Sequence, residues 1–266
     1  MNPKLAFVGA GRMAGAIVRG VLSSGNWAPS DITCTSAPDG TAETLAAETG
    51  ILFTFQINEL LNGADWIILA CKPQQLEALP SELAPISSGK RVLSILAGSP
   101  ISRLQSVFPH AAAIVRAMPN TPGMIGRGIT AYAASTPLQA ADAAVVEAIL
   151  SSLGDVLPLP ESSLNAVTGL SGSGPAYVFE FVAALRDAGI REGLDPETAC
   201  HLALKTVQGA AALLQAVPES PETHRDWVSS PGGTTLAGLA ALQKADFRES
   251  VAKAVRAARE RADELA

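Results

Sequence analysis

Apolar and polar residues alternate along the chain in two different textures. Through the first 160 residues, short β-type runs are separated by helical patterns. Residues 4–8 form a β-type run that ends at Gly9-Ala10-Gly11, and the pattern turns helical over 13–22. A second β-type run covers 32–36, a helix 41–48 and a short third strand 52–55. Residues 66–70 are apolar at every position, which predicts a parallel strand buried on both faces. Residues 91–95 and 113–117 are further strands, and 129–134 alternates as an edge strand does. Strands alternating with helices predict a doubly wound parallel sheet, a Rossmann-type α/β fold.

The texture changes after Pro137. A helix over 137–153 is followed by a short strand over 155–159, and Pro158 and Pro160 punctuate the chain. Beyond them only helical patterns occur, over 161–167, 175–188, 196–216, 234–245 and 247–265. The reading therefore places a dinucleotide-binding domain at 1–160 and an all-helical domain at 161–266. The second domain carries long small-apolar faces, such as Ala199, Leu202, Ala203, Val207, Ala210 and Leu214. So small a helical domain gains core by pairing with a copy of itself, so a homodimer or higher homo-oligomer is expected.

Composition narrows the function classes. Apolar residues make up 48% and charged residues 17%, which marks a globular chain. Net charge is −6 with no Lys/Arg-rich run, so no nucleic-acid partner is expected. The apolar run 66–71 is too short to span a bilayer and no signal peptide is read at the start, so the expectation is a cytoplasmic protein without a membrane partner. Cys34, Cys71 and Cys200 are odd in number and unpaired in spacing, which fits a reducing compartment. His110, His201 and His224 stand far apart, none beside a Cys, so no metal site is expected.

Gly9-x-Gly11-x-x-Ala14 follows a strand and opens a helix. Gly9 permits the tight turn, Gly11 lets the backbone approach a pyrophosphate, and the small Ala14 lets helix pack on strand. Arg12 and Met13 begin that helix. A ligand-free Gly-rich turn is the alternative. The second strand ends in Thr35-Ser36 without charge; Asp31 stands at its start and Asp39 beyond it in a loop. An uncharged end leaves room for a 2′-phosphate, although no Arg is near to grip it, so NADPH is the expected cofactor with NADH tolerated. Two more loops should line the groove. In Ala70-Cys71-Lys72-Pro73, Lys72 meets a phosphate or ribose, or else is a solvated loop residue. In Met118-Pro119-Asn120-Thr121-Pro122-Gly123, Asn120 could orient a nicotinamide carboxamide, with a plain turn as the alternative.

Two Gly/Ser segments in the helical half each read as a helix start, hence as an anion site. The first is residues 169–177, with Ser173 or Gly174 as cap and Pro175 in the first turn. The second is 228–235, where Gly232 and Gly233 expose N–H groups and Ser230, Thr234 and Thr235 add hydroxyls. A small carboxylate would fit the second cradle; capped helix ends are the alternative.

These segments together carry a resemblance. With Gly9-Ala10-Gly11-Arg12-Met13, Cys71-Lys72-Pro73, 118–122, 169–177 and 226–235, the chain resembles the pyrroline-5-carboxylate reductases from end to end. The resemblance implies an N-terminal Rossmann domain and a C-terminal helical domain that interlocks with its twin. It implies reduction of 1-pyrroline-5-carboxylate to L-proline by NAD(P)H, the last step of proline biosynthesis. It further implies that the loop from Ser230 to Thr235 holds the substrate carboxylate near the dimer interface. Thr235 would hydrogen-bond the ring nitrogen, and Asn58 would touch the cofactor. Hydroxyacid dehydrogenases of similar architecture instead carry a Lys early in the first long helix of the second domain. Residues 175–185 here hold neither Lys nor His, which fits an imine that water protonates before binding. A 3-hydroxyacid dehydrogenase and a non-catalytic NADPH-binding sensor stand as the rival readings.

Overall fold

A computed structural model of the chain describes residues 2–76, 79 and 83–265. The elements run β1 (Leu5–Val8), α1 (Arg12–Ser23), β2 (Ile32–Thr35), α2 (Thr41–Thr49), β3 (Leu52–Phe53), α3 (Ile57–Asn62), β4 (Trp66–Leu69), α4 (Leu83–Ile86), β5 (Arg91–Ser94), α5 (Ile101–Val107), β6 (Ala113–Met118), β7 (Gly128–Ala134), α6 (Ala140–Ser151) and β8 (Gly154–Pro158). Helices follow without another strand among the described residues: α7 (Leu164–Val167), α8 (Gly174–Arg191), α9 (Pro196–Ala216), α10 (Pro221–Trp227), α11 (Thr234–Lys244) and α12 (Phe247–Glu264). No helix among the described residues is long and apolar enough to cross a membrane.

The strands form one sheet in the order β3-β2-β1-β4-β5-β6-β7-β8, parallel except where β7 pairs antiparallel with β6. β1 and β4 lie at the centre and are buried at every residue. Leu5, Phe7 and Ile68 pack on one face with Ile17 and Val18 of α1; Ala6, Val8 and Ile67 pack on the other with Leu60 and Leu61 of α3. Two buried faces explain the unbroken apolar runs, and each large side chain so buried contributes roughly 1.5–3 kcal/mol.

Several expectations are corrected. Residues 129–134 are not an edge strand: β7 lies between β6 and β8, and β8 is the edge. The third strand stops at Phe53 rather than residue 55. Helices α3, α4, α5 and α10 were not expected at all.

The chain forms two compact units. One runs to Ser173 and resumes at Arg256; the other is Gly174–Val255. Neither division coincides with Pro160. Residues 161–173 and the end of α12 pack with the sheet unit because polar contacts fix them there. Arg116 of β6 is buried, its guanidinium 3.4 Å from Glu161 Oε1 and donating to Asn165 Oδ1. Asn165 Nδ2 in turn donates to Asp263 Oδ1 of α12 at 2.6 Å. Glu161 Oε1 also accepts the Ile101 N–H that opens α5. The Leu265 carbonyl accepts from Arg103 at 3.0 Å.

The Gly174–Val255 unit is helical throughout. Its α8 and α9 pack through Gly189, where an added Cβ would lie 3.4 Å from Ala199 Cβ. Asp195 caps α9 by accepting the Thr198 N–H, with Pro196 in the first turn. Of this unit only Ala199, Ala203 and His224 are buried, while Phe179, Leu204, Trp227 and Val228 are each more than half exposed.

Glu161→Ala should lower unfolding stability by about 2 kcal/mol, because the Ile101 N–H and the buried Arg116 lose an acceptor together. The shift in denaturant midpoint checks this, and an unchanged midpoint would remove Glu161 from the account of why residues 161–173 join the sheet unit.

Candidate active site

The register of the sheet brings the cofactor candidates to one edge. Val8 at the end of β1 lies opposite Thr35 of β2 and Leu69 of β4. The chain then leaves all three strands together. The Gly9 N–H donates to the Thr35 carbonyl at 2.9 Å, and the Ala70 N–H donates to the Val8 carbonyl at 2.9 Å. Gly9 sits at φ +111°, and a Cβ there would stand 2.5 Å from the carbonyl carbon and oxygen of Ala70. Only glycine fits.

Gly11 answers to a different constraint. Its backbone is extended, and a Cβ there would meet nothing within 4 Å. The protein leaves that place open, at the start of α1. No side chain caps α1 and no acidic residue stands in its first turn, so its first N–H groups and positive dipole end remain unanswered. An anion such as a pyrophosphate fits there. Arg12 is exposed on the first turn, Met13 is half-buried against the core, and Ala14 is buried beneath the helix.

The other candidates surround this point. Ser36 leaves β2, and Ala70, Lys72 and Pro73 leave β4. Lys72 is exposed and forms no ion pair among the described residues. Asn58 is exposed on the first turn of α3, which follows β3 from the same edge because β3 runs parallel to β2. Asn120 follows β6, also parallel to its neighbour β5. Asn120 does structural work as well: its Oδ1 accepts the Ile129 N–H at 3.0 Å and pins the start of β7. That commitment leaves only its amide N–H groups for a carboxamide oxygen. Burial pushes the Cys71 thiol up, which disfavours its thiolate; Cys34, in the core, is pushed up to about 11 by burial and by Glu43.

Asp39 lies beyond the end of β2 in a loop, as expected. It folds back so that Oδ1 accepts from the Ser36 hydroxyl at 3.3 Å, the Thr41 N–H at 3.1 Å and the Thr41 hydroxyl at 2.6 Å. An Asp just before a helix, with a Gly and a hydroxyl residue after it, is the sequence signal for such a turn.

The two Gly/Ser segments also part ways. Residues 169–177 do lead into a helix, α8, which begins at Gly174 with Pro175 in its first turn, but not from a loop. Residues Thr168–Gly172 form a π-turn that joins α7 to α8, and the Ser173 N–H is spent on the Thr168 carbonyl. A Cβ on Gly172 would stand 2.5 Å from Met118 Cε, so the turn lies against the end of β6. Residues 228–235, in the helical unit, do open a helix. Gly232 turns at φ +73°, and the Gly233 N–H donates to the Ser230 carbonyl at 2.9 Å. A Cβ on Gly233 would stand 2.5 Å from Ser230 Oγ. α11 then starts at Thr234 with no side-chain cap and no acidic residue in its first turn. The hydroxyls of Ser230, Thr234 and Thr235 find no partner among the described residues, and all three residues are exposed. The turn therefore brings the five expected substrate residues around one helix N-terminus, but against expectation the Gly233 N–H is spent within the turn, which leaves the hydroxyls of Ser230, Thr234 and Thr235 and the Gly232 N–H as donors, chemistry suited to a small carboxylate.

Known proteins resemble the chain from end to end. Residues 161–265 match the family model described as pyrroline-5-carboxylate reductase dimerisation, and residues 4–98 match that of the coenzyme F420-dependent NADP oxidoreductases. A pyrroline-5-carboxylate reductase of Synechocystis is 40% identical over 265 residues, 100% of this chain and 99% of its own. The chain belongs to the pyrroline-5-carboxylate reductase family. Among solved structures, the family member from Coxiella burnetii superposes with a TM-score of 0.90 at 33% identity, over 100% of this chain and 99% of that one. A Plasmodium falciparum pyrroline carboxylate reductase with NADP bound gives 0.89 at 30% identity, over 99% and 98%. Gly9 and Gly11 thus stand in the Rossmann unit of this family's fold, and the 228–235 turn within the stretch matched by its dimerisation model.

The two glycines make different predictions. Gly11→Ala should keep unfolding stability within roughly 0.5 kcal/mol, as nothing is displaced, yet weaken nicotinamide-nucleotide binding. Gly9→Ala should damage both, because β1 and Ala70 must separate. Thermal unfolding and nucleotide titration of the two variants check this; equal damage to both properties in both variants would refute the distinction.

Proposed function

We propose that the protein reduces 1-pyrroline-5-carboxylate to L-proline, taking hydride from NADPH and accepting NADH as well, as the closing step of proline biosynthesis. The observation that carries the reading is the Ser230–Thr235 turn. It gathers hydroxyls and free N–H groups at an uncapped helix start, in a chain that also holds a Rossmann unit.

When bound, the nicotinamide supplies the hydride. Gly9, Gly11, Arg12 and Met13 hold its pyrophosphate, with Ser36, Asn58, Ala70, Lys72, Pro73 and Asn120 lining the rest of the groove. Ser230, Gly232, Gly233 and Thr234 bind the substrate carboxylate, and Thr235 hydrogen-bonds the ring nitrogen. Hydride adds to the imine carbon, the carbon–nitrogen π pair collapses onto nitrogen, and the amine keeps the proton that the imine gained from water. No general base is needed, which agrees with the first turns of α8. His201 is exposed on α9, and His224 Nε2 is engaged with the Val217 carbonyl. Catalysis here is orientation and electrostatics rather than proton transfer by a side chain.

The working form is a homodimer or higher homo-oligomer, in keeping with the exposed apolar side chains of α8, α9 and α11. We take 161–266 as the segment that makes the assembly and 1–160 as the segment that holds the nucleotide, although the compact units divide elsewhere. We place the protein in the cytoplasm, where three free cysteines are stable.

Purified protein should oxidise NADPH in the presence of pyrroline-5-carboxylate, with proline formed mole for mole. Nucleotide binding without turnover would overturn the reading. Thr235→Ala should lower kcat on the order of tenfold with the dissociation constant of NADPH unchanged, as expected for one lost hydrogen bond to a charged group. Gly233→Val should raise KM for the imine, because its side chain would collide with Ser230 Oγ.

A further inference from the structure

The turn between β2 and α2 has a role that the hydride-transfer reading does not assign. In a Rossmann unit the adenosine ribose lies at the end of the second strand, where an acidic residue favours a 2′-hydroxyl and a cation favours a 2′-phosphate. In this chain the end of β2 is joined to the cofactor turn by the Gly9–Thr35 hydrogen bond. The residues that follow it are Ser36 to Thr41.

Two backbone N–H groups at the start of α2 are already in use. The Thr41 N–H is taken by Asp39 Oδ1, and the Ala42 N–H by Ser36 Oγ at 3.2 Å. Glu43 stands in the first turn of α2, so two carboxylates complement the helix dipole before any ligand arrives. One of the Glu43 oxygens is buried without a partner. No Lys or Arg occurs between Arg19 and Lys72, whereas that stretch holds Asp31, Asp39, Glu43, Glu48, Glu59 and Asp65. A 2′-phosphate would thus meet carboxylates, spent N–H groups and no cation from this stretch.

We infer that Asp39 is the specificity-determining residue for the cofactor's 2′ position, working against the 2′-phosphate and in favour of the 2′-hydroxyl. The inference rests on the reading that the protein uses a nicotinamide dinucleotide. All three hydrogen bonds of the Asp39 carboxylate fall on Oδ1, which leaves Oδ2 to accept from a ribose hydroxyl. Those hydrogen bonds, that of the Thr41 hydroxyl foremost, hold the carboxyl below the usual carboxylate range, so it stays ionised wherever the enzyme works. The consequence is a narrow margin between the two cofactors: NADPH binds in spite of Asp39, and NADH gains from it.

Asp39→Asn is the test, because an amide oxygen can still accept from Thr41 and keep the turn while the charge is removed. Binding of NADPH, NADH, 2′,5′-ADP and ADP is measured by calorimetry on the intact protein, independent of turnover. The expected result is a rise of roughly fivefold in the affinity ratio of NADPH to NADH, the scale of one exposed charge contact, with the same shift for 2′,5′-ADP against ADP. A ratio within twofold of the unmodified protein would overturn the inference, and so would binding of neither dinucleotide. If both dinucleotides bind but no proline forms, the reductase reading fails while the affinity ratio still decides the role of Asp39.

Discussion

The nucleotide half of the molecule depends on one close approach, that of Gly9 to the carbonyl of Ala70. A methyl group at Gly9 would overlap that carbonyl, so the ends of β1 and β4 can meet only if the position carries no side chain. From this contact the rest follows. The Gly9 N–H can reach Thr35, which brings the end of β2 to the same place. The chain then turns at Gly11 into α1 with its N-terminal N–H groups facing open space. The core below is arranged to hold this edge still: β1 and β4 are buried on both faces, so neither strand can shift without exposing a row of apolar side chains.

What the sequence makes legible is what local chemistry determines. The run from Trp66 to Leu69 reads as a central strand because both of its faces are apolar, and Gly9 and Gly11 read as a turn because strand and helix flank them. Asp195-Pro196 marks the start of α9 by the same logic. The helices that escape notice, α3, α4, α5 and α10, span four to seven residues, less than two turns, so no apolar spacing repeats within them. The place of β7 escapes because strand order is a long-range matter: its alternation suits an edge, yet β8 returns to cover it.

The site divides along the same line. The 228–235 turn is legible because Gly232, Gly233 and the hydroxyls are consecutive. The 169–174 segment looks like a second helix start, with Gly and Ser before Pro175. A helix does begin there, at Gly174, but the glycine at 172 answers to Met118, a residue 54 positions earlier, and no local pattern reports that contact. A similar limit hides the division at Val255 and Arg256, inside an unbroken helix. The end of α12 belongs to the sheet unit because Asp263 meets Asn165 and Leu265 meets Arg103, and neither pairing shows in the spacing of the chain.

The helical unit raises the remaining question of how so exposed a turn can bind anything firmly. Hydrogen bonds from Ser230, Thr234 and Thr235 to a carboxylate compete with water at full strength while the turn is solvated, and contribute little. The same unit buries only three side chains and leaves a groove of about 950 Å³ lined by Leu236, Leu239 and Phe247. Both facts describe one deficiency. A unit that lacks a core of its own gains one by assembly, and an assembly that covers the apolar faces of α8, α9 and α11 also strips water from the start of α11. Lower local dielectric then strengthens each donor at the turn. Oligomerisation and substrate binding are then two results of burying the same helices, and the residues proposed to bind the carboxylate stand in the unit that cannot be complete alone.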